Sequence, residues 1–105
     1  MRAVIIHPDA HLEIARISEW YDSRRSNYGT AFESEFDICL NRIAEHPLTY
    51  AFALEELQVR RALMPNFLFH IYFSEESNQI KVWTVVHSHR SPRVWKLRVR
   101  RRHKE

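Results

Sequence analysis

The spacing of apolar positions changes period along the chain, and each change marks an element. Residues 2–7 are apolar and β-branched and stop at Pro8, which predicts a short strand. From Asp9, placed as a helix N-cap, Ala10, Ile14, Ile17 and Tyr21 recur at helical spacing while Glu13, Arg16, Glu19 and Asp22 stay polar. The spacing predicts an amphipathic helix over 9–24. Ser26-Asn27-Tyr28-Gly29, with the only glycine of the chain, predicts the break. A second helix follows, with Phe32, Phe36, Cys39, Leu40 and Ile43 on one face, and Pro47 ends it. Two helices so closely joined predict an antiparallel hairpin with facing apolar stripes.

Beyond residue 56 the period becomes two. Leu57, Val59, Arg61 and Leu63 alternate with Gln58, Arg60, Ala62 and Met64, and Pro65-Asn66 marks a turn. Residues 67–74 and 80–87 alternate in the same way on either side of Glu75-Glu76-Ser77-Asn78. Three successive antiparallel strands result. The expected fold is therefore α+β, in the order β-α-α-β-β-β, with the helix hairpin packed on one face of a small, mainly antiparallel sheet. Strict alternation puts Arg60, His70, Tyr72, Lys81, Trp83 and His87 on the other face. It puts Arg61 on the apolar side, within reach of Glu33 or Glu35.

The 105 residues suit one domain, 1–105, and a hydrophobic fraction of 45% is too high for a disordered chain. The single cysteine, Cys39, excludes an internal disulfide and reads as a small buried hydrophobe. No signal-peptide core precedes Pro8, and the longest uncharged stretch, Ala62 to Ser74, is broken by Pro65, Asn66 and His70. A cytoplasmic protein with no membrane segment is expected.

Charge divides the chain. Residues 1–80 carry a net charge of −5 and residues 81–105 a net charge of +8, which suits an anionic partner. Arg100, Arg101, Arg102, His103 and Lys104 read as a solvated basic tail beginning near residue 99. Arg90, Arg93, Lys96 and Arg98 differ, being interleaved with Pro92, Val94, Trp95 and Leu97, residues that pack. Trp95 reads as an anchor docking the chain end against the sheet.

Val59-Arg60-Arg61, the strand from Phe67 through Ile71-Tyr72-Phe73, Ile80 to Val86, and above all His87-Ser88-His89-Arg90-Ser91-Pro92-Arg93-Val94-Trp95 come in an order and spacing that resembles the RelE/ParE superfamily of toxins from bacterial type II toxin-antitoxin modules. The resemblance covers nearly the whole chain. It implies a small cytoplasmic toxin neutralised by a cognate antitoxin, with homodimers or heterotetramers as possible assemblies. It also implies one of two targets. RelE-like members cleave ribosome-bound mRNA without a metal, whereas ParE-like members inhibit DNA gyrase without cutting RNA.

Metal-free RNA cleavage needs a base for the 2′-hydroxyl, cations for the phosphorane charge and an acid for the leaving oxygen. His87 or His70 would exchange protons near neutral pH. Arg60, Arg61 and Arg90 would hold the phosphate, and Tyr72 or Trp83 would stack a base. His87, Arg61 and Arg90 form the catalytic set of this reading. The RelE-like lysines and late tyrosine have no counterpart, since no lysine precedes Lys81 and no tyrosine follows Tyr72. The terminal His-Tyr pair of YoeB-like relatives is missing too, although Glu45, Glu55 or Glu56 would mimic their glutamate. The ParE-like reading needs only a binding surface, for which Arg60, Tyr72, Trp83, Arg90, Arg93, Trp95 and Arg98 are the expected residues. An acidic or amphipathic antitoxin segment is expected across the helix hairpin or the basic end, neutralising Arg90, Arg93 and Arg98. His87-x-His89 would put two imidazoles on one strand face, but nothing nearby supplies further ligands, so neither metal nor cofactor is expected.

Overall fold

The computed structural model describes residues 1–105. Its elements are β1 (Ala3–Ile6), α1 (Pro8–Arg24), α2 (Tyr28–Glu45), β2 (Phe52–Leu54), β3 (Val59–Met64), β4 (Phe69–Glu76), β5 (Gln79–His87) and α3 (Pro92–His103). Short 3-10 turns at Pro47–Thr49 and Glu55–Leu57 flank β2. The strands form one sheet in the order β1-β5-β4-β3-β2, with β1 parallel to β5 and every other pair antiparallel. The fold is α+β with the expected helix hairpin, extended by the small edge strand β2 and by a third helix.

Local chemistry sets the helix ends. Pro8 occupies the first turn of α1, where a missing N–H costs nothing. His7, not Asp9, is the cap: its Nδ1 accepts from the Asp9 N–H at 3.1 Å. The turn into α2 is made by Asn27, which takes the left-handed conformation at φ 66°. Gly29 lies inside α2, not at the break. A Cβ there would stand 2.3 Å from the Ser18 carbonyl oxygen, so the glycine lets α2 approach the backbone of α1 closely at this point. Asp22 Oδ1 accepts the Gly29 N–H at 2.8 Å and supplies from α1 the capping bond that Asn27 does not make.

Two cores result. Phe32, Phe36 and Ile43 of α2 pack on Ala62, Met64, Ile71, Phe73, Ile80, Val82 and Val85. On the other face, Trp95 and Val99 of α3 pack on Leu54, Val59, Tyr72, Trp83 and Val86. The basic run is therefore not a loose tail: Arg100, Arg101, His103 and Lys104 are exposed as expected, but the run continues a helix whose Val99 is 0% exposed and whose Arg102 is buried, because the Trp95-Val99 spacing sets an apolar stripe against the sheet. The sheet face expected to be open is roofed.

The faces of β5 also differ from strict alternation. Tyr72 pairs with Thr84 but Phe73 pairs with Val82, so Trp83 is the extra residue of a β-bulge. A bulge inverts the side-chain parity beyond it. Val85 consequently joins the hairpin core, Val86 joins the α3 core, and His87 lies opposite Phe69 on the hairpin side. In β3, Ala62 and Met64 are the residues under the hairpin, which sends Arg61 to the α3 side opposite Tyr72. Glu33 and Glu35 bind Ser18 and Asn66 instead of Arg61.

Candidate functional site

β1 pairs with β5 only as far as Val82, so the last residues of β5 have an edge with no neighbouring strand. An open edge must find partners for its N–H and C=O groups, and here side chains provide them. Glu13 of α1 accepts from the Val85 N–H and from the Thr84 hydroxyl, the latter at 2.7 Å. Arg102 of α3 donates Nη1 to the Trp83 carbonyl at 2.8 Å and Nη2 to Glu13 Oε2. Arg98 adds a second guanidinium, 3.5 Å from Glu13 Oε2 and 3.4 Å from Thr84 Oγ1. One carboxylate thus ties α1, β5 and α3 together.

Beside this junction, α1, the end of β5 and the loop into α3 enclose a groove of about 510 Å³. Ile17, Tyr21, Phe69 and Val85 form its apolar floor, while Arg16, His87, Arg90 and Arg98 stand around it with Glu13. Arg16 and Arg90 are exposed, and neither side chain makes an ion pair or hydrogen bond within the chain. Burial lowers the Arg98 pKa, and Arg102, Arg90 and Arg16 push the same way against the opposing pull of Glu13. Glu13 is thus shared by Arg98 and Arg102, while Arg16 and Arg90 have no carboxylate partner, which leaves an excess of positive charge. Trp20, 52% exposed, closes the outer end with Arg24 stacked 4.7 Å above its ring.

His87 is the one imidazole in the groove. Its Nδ1 accepts the His89 N–H at 3.1 Å, so the neutral ring carries its proton on Nε2 and presents a donor, not a base. Burial, and then the neighbouring His89, lower its pKa. His70 is lowered as well, by burial first and then by Arg61 and His87. Both rings take up protons less readily in the folded chain than in the unfolded one. Their contribution to stability is therefore complete above the unfolded value of about 6.5 and is lost as pH falls below it through the lower folded values. Urea unfolding midpoints should decline as pH falls below about 6.5, and a His70→Asn/His87→Asn variant should show a flatter profile. An unchanged slope in that variant would assign the loss to other groups.

The expected site residues part company. His87, Arg90 and Arg98 share the groove. Arg61 does not join them, lying beside Tyr72 on the opposite face of the sheet. Arg60 is held at the β2 edge, donating to the Tyr50 carbonyl at 2.6 Å and stacking 4.0 Å over Phe52. Tyr72, Trp83 and Trp95 are 2%, 9% and 6% exposed, so the α3 core leaves them no open ring face for a base or a partner. Trp95 is the expected anchor, stacked 4.4 Å from Tyr72. Arg93 is exposed on α3, outside the groove.

Sequence reasoning passed over Arg16, Trp20 and Glu13, although Glu13, Arg16, Ile17 and Trp20 recur at the spacing of a helix face that mixes charge with apolar bulk. His7, Asp9 and Glu105 also gather, with ligand atoms within 4.8 Å. His7 Nδ1 accepts from the Asp9 backbone, and Nε2 faces Glu105 Oε2 at 2.8 Å. A metal on Nε2 would require the proton on Nδ1, against that N–H, so the arrangement suits a hydrogen-bonded clasp. A scan against protein-family models returns no match, and a search of the curated proteins returns none either.

Proposed function

We propose that the chain is the toxin of a type II toxin-antitoxin module of the ParE-like kind, acting in the bacterial cytoplasm by binding DNA gyrase and neutralised by a cognate antitoxin. The observation that carries this choice over a ribonuclease is the state of the groove's proton-exchanging groups. His87 has its Nδ1 engaged by the His89 N–H, and Glu13 is committed to two arginines, a hydroxyl and a backbone N–H. Burial raises the Tyr21 pKa and keeps that phenol protonated. Cleavage of RNA requires a free base beside an acid, and no such pair stands there. A cationic rim over an apolar floor serves binding instead.

Induced expression should arrest growth of a bacterial host. The purified chain should inhibit supercoiling by gyrase and leave ribosome-bound mRNA intact. Cleaved mRNA with undisturbed supercoiling would overturn the proposal in favour of an mRNA interferase. Normal growth with both assays silent would reduce the chain to a toxin-derived binding module.

A further inference from the structure

The groove between α1 and the end of β5 has an apolar floor and more positive charge than the chain itself answers. Its floor is built from aliphatic side chains and from rings already in use. Tyr21 makes edge contacts with Trp20, Tyr28 and Phe67, and Phe69 meets His87 edge-on at 5.1 Å. Trp20 has Arg24 on one face. Single-stranded nucleic acid needs a row of open aromatic faces on which successive bases stack, and the groove has a single exposed ring, Trp20 at its outer end. An aliphatic or aromatic side chain between carboxylates matches both features: apolar bulk for the floor, negative charge for the two guanidiniums without partners.

We propose that this groove is the docking site for an acidic peptide segment of a partner protein, seated with an apolar anchor over Ile17 and Val85 and with flanking carboxylates on Arg16 and Arg90. Under the toxin reading the segment belongs to the antitoxin, and to that extent the assignment rests on the proposed function. The chemistry of the groove stands without it. Arg98, tied to Glu13, lines the wall and holds the field positive.

The test uses the full chain against a random displayed peptide library. Selected sequences should be rich in Asp and Glu around Leu, Phe or Trp, and their binding should shift the fluorescence of Trp20, the exposed tryptophan of the three. Arg16→Glu/Arg90→Glu should weaken a selected peptide roughly tenfold or more, and high salt should weaken it in the parent chain. Arg25→Glu/Arg101→Glu, which makes the same charge change at exposed positions outside the groove, should bind as the parent does. Circular dichroism confirms that both variants fold. Selection of neutral or basic sequences, equal loss in both variants, or binding of a polyuridine oligonucleotide in preference to the peptides would overturn the proposal. Growth arrest without groove-dependent peptide binding removes the docking site and leaves the toxin reading; peptide binding without growth arrest does the reverse.

Discussion

Replacing Glu13 by alanine should lower the stability of the fold by about 3–5 kcal/mol, the usual cost of removing one partner from a buried ion pair. The side chains of Glu13 and Arg102 are 11% and 10% exposed, so the guanidinium left behind cannot recover its hydration in place. Thr84 and the Val85 N–H lose their acceptor at the same moment, on a strand edge with no other neighbour. Arg98 contributes less, its side chain being about a third exposed and screened by water. Urea unfolding at neutral pH measures the effect. The Glu13→Ala/Arg102→Ala double variant should lose less than the sum of the two single ones, because the second substitution removes the orphaned charge. A single-variant loss below about 1 kcal/mol, or strict additivity, would show that the junction is solvated and does not hold α1 to α3.

This junction explains which parts of the structure were legible in the sequence. Elements that bury one face announce themselves by period, and α1, α2 and the three long strands follow the spacing of Ile14, Ile17 and Tyr21, of Phe32, Phe36 and Ile43, and of Phe69, Ile71 and Phe73. Where both faces are buried, alternation loses its meaning. Val82, Trp83, Thr84, Val85 and Val86 are all buried, so no contrast along that run betrays the bulge that inverts the parity of His87. α3 was hidden by charge. Its buried stripe is Trp95, Val99 and Arg102, and the third member looks like solvent-facing sequence until its partners, 89 and 19 residues away, are known. Ser91 followed by Pro92 was the available signal: the Ser91 Oγ accepts from the Arg93 N–H, and Pro92 takes the first helical position. The candidate groove follows from the same facts, since His87 reaches it only through the bulge and Arg98 only through the helix.

The second large effect falls on Trp95. Truncation to alanine removes a side chain that fills the space between α3 and the sheet, and a buried tryptophan lost this way costs about 3–5 kcal/mol. Part of that is specific to its ring, since the parallel stack on Tyr72 at 4.4 Å and 13° is worth about 0.5–1.5 kcal/mol beyond the area buried. Trp95→Phe should therefore recover most of the loss. Position matters as much as size, because Trp95 is in the first turn of α3, and the remaining anchors, Val99 and Arg102, hold only its later turns. A destabilised first turn would free the loop that carries Arg90 and would loosen the wall of the groove at Arg98. Trp95→Ala should thus weaken any ligand of the groove although its own side chain does not line it, whereas Leu97→Ala, at a position 55% exposed, should change neither stability nor binding by more than about 0.5 kcal/mol. Thermal unfolding and peptide titration on the same samples decide the matter. Equal effects at the two positions would mean that α3 rests loosely on the sheet and that the groove is built without it.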